Sequence, residues 1–179
     1  MRSLFKYTML TVGFRYGAYA AGYSLLAALM LYSFSFDPMG QFRLFLGLVT
    51  LVIMVLAIKR YKYIYNQGNM NVTHGFAVSL AVGLVSGFLY SLALLIWVSI
   101  SERVWDLHVA DMIRTFELQK EGFVKYYSME AYNDQLQAII ESGLEKRKES
   151  KVYFALITFR DRVLLALFFG FLTSIYYRN

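Results

Sequence analysis

Long uncharged, mostly apolar runs alternate with short charged segments along this chain. Four runs contain no Asp, Glu, Lys or Arg, and they cover residues 16–36, 44–58, 76–101 and 163–177. A transmembrane helix needs about 20 mostly apolar residues to cross a hydrocarbon core about 30 Å thick. The first and third runs, of 21 and 26 residues, are long enough to cross. This pattern predicts membrane-spanning helices.

The other two runs have 15 residues each, so as helices they rise only about 22 Å. Flanking lysine and arginine side chains can extend outward and recover several ångströms at each end. Tyrosines that follow the second run and close the fourth suit the membrane interface. We therefore predict four spans, at about residues 16–36, 42–58, 76–101 and 160–177.

Composition supports a membrane protein and excludes several other classes. Hydrophobic residues make up 58% and charged residues 17% of the 179 residues, against about 45–50% and about 25% in soluble domains. The chain has no cysteine, which excludes disulfides and thiolate metal sites. The net charge of +6 comes from basic residues at the ends of apolar runs, which is typical of membrane orientation and not of nucleic-acid binding.

The basic residues also predict an orientation. The amino-terminal flank and residues 59–75 contain lysine and arginine but no acid, whereas residues 102–151 carry eight basic and ten acidic residues. Because basic segments stay in the cytoplasm, both termini are predicted inside and residues 102–151 outside. Cleavage of a signal peptide after Ala18-Tyr19-Ala20 is an alternative, but Arg15 interrupts the apolar region before it and apolar character continues beyond it.

Eight charged residues flank the predicted outer ends of the spans: Asp37, Arg43, Glu102, Arg103, Asp106, Arg160, Asp161 and Arg162. Four are basic and four acidic, so we expect lateral ion pairs at the interface that set the depth of the short helices. Alternatively, Arg160 or Arg162 binds an anionic lipid headgroup or substrate from outside. No charge is expected in the middle of a span, which argues against a pump.

Small residues recur every four positions in three of the spans: Gly13, Gly17 and Ala21; Gly75, Ser79, Gly83, Gly87 and Ser91; Ala166, Gly170 and Ser174. Small side chains let helices approach closely in lipid, where no hydrophobic drive brings them together. A step of four residues turns about 400°, so the second stripe drifts around its helix and predicts contact with two neighbours. The stripes pack either within the bundle or against a foreign helix.

Residues 102–151 predict a helical hairpin. Trp105 to Phe116 and Met129 to Ile140 each keep apolar residues on one helical face. Gly122 is expected to break the two helices and Ser128 to cap the second, while Thr73 is the predicted cap of the third span. The apolar faces pair with each other, lie on the membrane surface, or bind another subunit.

Catalytic chemistry finds little support in the sequence. Glu102, Asp106, His108 and Asp111 lie close together on one predicted helix, but a metal site needs three or four convergent ligands with supporting contacts. Neither a glycine-rich phosphate loop nor a serine–histidine–acid arrangement is present. We therefore expect no catalytic residues, no metal and no cofactor.

Two stretches carry a family resemblance: the glycine-bearing start of the third span, "NVTHGFAVSLAVGLVSGFLYSL", and the last span with its basic tail, "VLLALFFGFLTSIYYRN". With the helical outer segment between them, they resemble an uncharacterised family of small four-helix inner-membrane proteins found widely in Bacteroidota. The resemblance implies an all-α integral membrane protein of the bacterial inner membrane, with a helical periplasmic hairpin between the third and fourth spans and no assigned activity.

Two functional hypotheses follow. The first is a non-enzymatic accessory or assembly subunit of a membrane or envelope complex, whose partners are the bilayer and other membrane subunits or a second copy. The second is a small transporter or lipid-binding protein, in which Arg43, Arg160 and Arg162 surround an outward-facing basic cavity that holds an anionic lipid or substrate.

Overall fold

The computed structural model describes the backbone except at residues 1, 41, 146 and 179, and the side chains except also at residues 2–7, 142, 144, 145 and 147–150. The described chain is all-α, as predicted, and it has seven α-helices. They are α1 (Arg2–Ser33), α2 (Arg43–Arg60), α3 (Val72–Ile100), α4 (Glu102–Leu118), α5 (Lys120–Tyr126), α6 (Met129–Glu145) and α7 (Arg147–Tyr177).

Helix α2 is longer than its uncharged run. A five-residue π-helical segment, Tyr61–Tyr65, continues it directly and gives one helical stretch of 23 residues. At the other end of the following loop, the Asn71 side chain accepts a hydrogen bond of 2.9 Å from the backbone N–H of His74 and caps α3. The prediction that Thr73 caps this helix is therefore wrong, because Thr73 already lies inside the first turn.

Two helical stretches among the described residues, Arg43–Tyr65 and Val72–Ile100, are long and apolar enough to cross a membrane. Helices α1 and α7 do not meet the same criterion. Tyrosine, serine and glycine dilute the apolar residues of α1, and three charges interrupt α7 at Arg160, Asp161 and Arg162.

Helix α3 lies at the centre of a four-helix bundle with α1, α2 and α7 around it. Its contact with α1 uses Ala81 and Val85, which face Gly13 and Gly17. Its contact with α7 uses Ser79, Gly83 and Gly87, which lie on the opposite side of the helix. α3 thus contacts two neighbours through opposite faces.

The predicted small-residue stripes lie at these helix contacts. On α3 and α7, which run antiparallel, Gly75 lies against Ser174, Ser79 against Gly170, Gly83 against Ala166, and Gly87 against Phe159 and Arg162. Added β-carbons at these glycines would meet the opposing helix, so the close approach requires them. Ala21 and Ser91 are also buried.

The outer segment contains three helices, not the expected two. Gly122 does not break it, since it lies inside α5, and the chain instead turns at Gln119 and around Tyr127. Ser128 caps α6 as predicted, because its hydroxyl accepts a 3.0 Å hydrogen bond from the N–H of Ala131.

Helices α4 and α6 pair through their apolar faces. Phe116 stacks on Tyr132 with ring centroids 5.0 Å apart and planes 5° apart. The Trp105 indole N–H donates a 2.9 Å hydrogen bond to the carbonyl of Gly143. Of the three alternatives that the sequence left open for these faces, the described residues favour pairing with each other.

Candidate functional site

The turn between α1 and α2 places a buried carboxylate at the end of the bundle. Pro38 follows Asp37, and the Asp37 Oδ1 atom accepts a 2.7 Å hydrogen bond from the backbone N–H of Met39. This local bond stabilises the turn, as aspartate commonly does. The Asp37 side chain is almost fully buried, although only one of its oxygens is satisfied by the turn.

His108 of α4 contacts the second carboxylate oxygen of Asp37. Its Nδ1 atom lies 2.7 Å from Oδ2 of Asp37, and its ring packs against Phe154 and Trp105. Both side chains are at least nine-tenths buried. The pair therefore fastens α4 to the α1–α2 turn at the end of the bundle, across 71 positions of sequence.

A second carboxylate converges on the same point. A β-carbon added to Gly40 would lie 2.5 Å from Oδ2 of Asp37 and 2.6 Å from Oδ2 of Asp111. Burial and the neighbouring Asp37 carboxylate raise the pKa of Asp111, while His108 and Arg114 act in the opposite direction. The glycine provides the room that the two carboxylates require.

A cavity of about 530 Å³ opens beside this cluster. Its walls are the α1–α2 turn, with Phe36 and Asp37, and the length of α4, with Asp111 and Arg114. A volume of this size is in the range of small-molecule sites. Its charged lining carries two carboxylates and one guanidinium, so it differs from the basic cavity that Arg43, Arg160 and Arg162 were expected to surround.

Arg162 is buried inside the bundle. Its Nη1 atom donates a 2.5 Å hydrogen bond to the Thr50 hydroxyl of α2, and its guanidinium carbon lies 4.0 Å from the ring centroid of Tyr90 on α3. The side chain is 3% exposed. Among the described side chains, no carboxylate lies within ion-pair distance of it.

The other predicted boundary charges lie nearer the surface. Arg43 pairs with Asp161 at 3.3 Å, and Arg160 pairs with Asp161 at 2.9 Å. Arg103 lies over the Tyr32 ring, 5.6 Å from its centroid. Glu102 and Asp106 are exposed on α4.

Of the eight charges, Arg43, Arg160 and Asp161 form the expected lateral ion pairs, and the expectation fails for Asp37 and Arg162. Asp37 turns inward to His108, and Arg162 reaches Thr50 and Tyr90 within the bundle. The sequence carried a signal for Arg162, since it precedes Ala166, Gly170 and Ser174 by steps of four and so shares their inward face.

Of the four candidate catalytic residues, the fold gathers His108 and Asp111 and adds Asp37 to them, while Glu102 and Asp106 are exposed on α4. Within the described part of the chain, no group of three or more His, Cys, Asp or Glu side chains could hold a metal ion. The cluster has the geometry of a buried polar clasp between the outer helices and the bundle.

Replacing Asp37 with asparagine should loosen this clasp. The change removes a charged acceptor from a buried hydrogen bond, and we expect the free energy of unfolding to fall by about 1.5–3 kcal/mol. Hydrogen exchange should rise first in α4, which can be followed by mass spectrometry. Asp161→Asn is the matched control, because its ion pairs are partly exposed and contribute about 0–1 kcal/mol; equal losses in both variants would contradict the clasp.

Replacing Asp111 with asparagine should stabilise the protein at neutral pH. Its raised pKa means that the ionised form disfavours the folded state above that pKa. The melting temperature of Asp111→Asn should therefore exceed that of the wild type at neutral pH, and the gap should close in acid, where the wild-type carboxyl is protonated. A gap that does not change with pH would show that the charge of Asp111 is not responsible.

Comparison with known proteins gives a family but no activity. No curated protein and no solved structure matches the chain. Residues 15–177 match a family described as "Protein of unknown function (DUF4199)". That match spans the four bundle helices and the outer helices between them, and it confirms the resemblance to an uncharacterised family. The chain belongs to the DUF4199 family.

Proposed function

We propose that this chain is a non-enzymatic, four-span protein of the bacterial inner membrane that serves as an accessory or assembly subunit of a membrane or envelope complex. Its outer helices α4–α6 would present the binding surface. The observation that carries this proposal is the apolar tip of those helices, formed by Leu118, Tyr126, Tyr127 and Met129, which are 79%, 79%, 69% and 48% exposed. A patch of this kind outside the bilayer suits a protein partner.

The distribution of side chains supports four spans. All four bundle helices expose large apolar side chains outward, including Met30, Leu44, Phe88 and Phe168. The interior instead holds polar groups: Ser24, Thr50, Ser79, Ser86, Arg162 and Ser174. A soluble bundle has the opposite arrangement, whereas lipid accepts an apolar exterior and small polar contacts between helices.

Helix packing supports α1 and α7 as membrane spans as well. Both pack closely along α3, which is long and apolar enough to cross a membrane. Helices that contact a spanning helix at several levels share its layer of the bilayer. The small residues of α1 and α7 are used in these contacts, so a foreign helix would have to bind elsewhere.

Orientation can be tested with single cysteines, because the chain has none of its own. We place them at Ser3, Asn69 and Gly122; Asn69 is preferred to Gly68, whose φ of +83° favours glycine. A membrane-impermeant thiol reagent should label only position 122 in intact cells, and all three after lysis. Labelling of position 69 from outside would reject the proposed topology.

The partner is tested at the apolar tip. Purification in mild detergent should recover a protein at a fixed ratio, and Tyr126→Ser/Tyr127→Ser should lose it. The matched control is Tyr153→Ser/Tyr176→Ser, which removes two tyrosines that are also exposed but lie on α7. Equal recovery with both double variants, or no partner with the wild type, would reject the accessory role.

A second candidate, a small transporter or lipid-binding protein, is supported by the outer cavity and its charged lining. A molecule held there should appear at a one-to-one ratio in native mass spectrometry of the purified protein. Arg114→Gln should release it, and Arg160→Gln, which changes an arginine outside the cavity, should not. If both variants retained the molecule, this second candidate function would be rejected.

A further inference from the structure

A cavity of about 360 Å³ lies at the predicted inner end of the bundle, between α1 and the junction of α2 with the π-helical segment. One face of α1 supplies Thr8, Thr11, Arg15 and Tyr19, which follow helical spacing. Arg60 and Tyr65 close the other side. The cavity therefore combines two guanidinium groups with hydroxyl groups on both walls.

The arginines are suitably arranged to bind a ligand. The Nε atom of Arg15 donates a 2.9 Å hydrogen bond to the Tyr19 hydroxyl, and its guanidinium lies 5.8 Å from the Tyr19 ring centroid. The tyrosine thus holds one edge of the guanidinium and leaves the forked end, with its two terminal nitrogens, for an anion. Arg60 is exposed at the end of α2.

The local charge is positive along the sequence on both sides of the cavity. No aspartate or glutamate occurs in residues 1–36 or 38–101. Arg60 adds its positive charge to that of Arg15 in the cavity lining. An anion bound here would balance the positive charge of Arg15 and Arg60, because these two sequence segments supply no acidic side chain.

Exposed apolar side chains continue from the cavity along α1 and indicate the rest of the ligand. Tyr23, Leu26 and Met30 follow Tyr19 at helical spacing on the same face of α1, and they are 58%, 57% and 66% exposed. A ligand with an anionic head and hydrocarbon chains would contact both surfaces at once. The cavity is large enough for a phosphate-bearing headgroup, and the chains would lie along α1 in the bilayer.

We propose that this cavity binds the headgroup phosphate of an anionic phospholipid from the inner leaflet. Arg15 and Arg60 would contact the phosphate oxygens, and the threonine and tyrosine hydroxyls would complete the polar lining. Basic recesses between spanning helices on the cytoplasmic side are general sites for anionic headgroups. The assignment of the lipid to the inner leaflet depends on the topology proposed above, whereas the chemistry of the cavity does not depend on it. This site lies at the opposite end of the bundle from the outer cavity.

The test is lipid titration of the purified full chain in detergent, read by native mass spectrometry. Phosphatidylglycerol should bind the wild type, and Arg15→Gln/Arg60→Gln should bind it roughly tenfold to thirtyfold more weakly. The matched control is Lys59→Gln/Arg178→Gln, which removes the same charge from exposed positions outside the cavity. It should bind like the wild type, and zwitterionic phosphatidylcholine should bind all three weakly.

Three results would overturn the proposal. Equal weakening in the two double variants would mean diffuse attraction to the inner surface and no defined site. Equal binding of phosphatidylcholine would mean that the anionic character of the lipid does not matter. Displacement of phosphatidylglycerol by a similar concentration of inorganic phosphate would assign the cavity to a free anion. Cysteine labelling decides the topology independently, so failure of the topology and failure of the lipid site are distinguishable.

Discussion

Gly83→Val is expected to disrupt the central helix pair of the bundle. A β-carbon at position 83 would collide with the β-carbon of Ala166 and lie 3.3 Å from the carbonyl oxygen of Arg162. Neither is the end of a flexible side chain, so α3 and α7 must separate. We expect the free energy of unfolding to fall by about 3 kcal/mol or more, which for a chain of this size lowers the melting temperature by roughly 6–12 °C.

Gly22→Val is the matched control for this prediction, because nothing lies within 4 Å of a β-carbon at position 22 of α1. Because valine has a higher helix propensity than glycine, this variant should be as stable as the wild type or more stable by about 0.5 kcal/mol or less. A second test exchanges the small residues: Gly83→Ala should destabilise the protein, and adding Ala166→Gly should restore much of the loss. Equal melting temperatures for Gly83→Val and Gly22→Val would contradict the close approach of α3 and α7.

Arg162→Lys is expected to have the second largest effect. The planar guanidinium stacks on Tyr90 and bonds the Thr50 hydroxyl at the same time, and an ammonium group cannot reproduce both contacts. Lysine would leave a buried charge with fewer partners. We expect a loss of roughly 2–4 kcal/mol in the free energy of unfolding, measured by thermal or denaturant unfolding in detergent.

Arg160→Lys controls for the change of residue type two positions away on the same helix. The Arg160 side chain is 62% exposed and pairs with the adjacent Asp161, so its substitution should change stability by less than about 1 kcal/mol. Tyr90→Phe should give an intermediate loss, since the ring remains and only the hydroxyl is removed. If Arg162→Lys were as stable as Arg160→Lys, the buried guanidinium would have no role in holding α2, α3 and α7 together.

For Arg162, the uncharged run and the helical phase predict different positions. The uncharged run begins at Val163, which suggested that the preceding arginine lies at the membrane boundary. In the structure α7 begins at Arg147, so Arg162 lies near the middle of a 31-residue helix and faces inward with the small residues. A run of uncharged residues measures composition, whereas the face of a residue depends on its helical phase.

The outer segment gives a similar contrast. Its amphipathic faces and the Ser128 cap depend on residues a few positions apart, and both could be predicted. The continuation of the helix through Gly122 could not be predicted, because glycine only lowers helix propensity and neighbouring packing decides whether a helix continues. Phe123 packs against Phe116 and Tyr132, and these contacts hold Gly122 within α5.

The sequence by itself determined the helical class, the long apolar stretch of α3, the rows of small residues and the family, because each is encoded by neighbouring residues or by overall pattern. Only the tertiary structure decided that Asp37 meets His108 across 71 positions and that Arg162 meets Thr50 across 112. Such pairs form when packing brings distant helices together, and nothing in the local pattern of either partner specifies the other. The cavity that Arg15 and Arg60 line forms in the same way, from one face of α1 and the far end of α2.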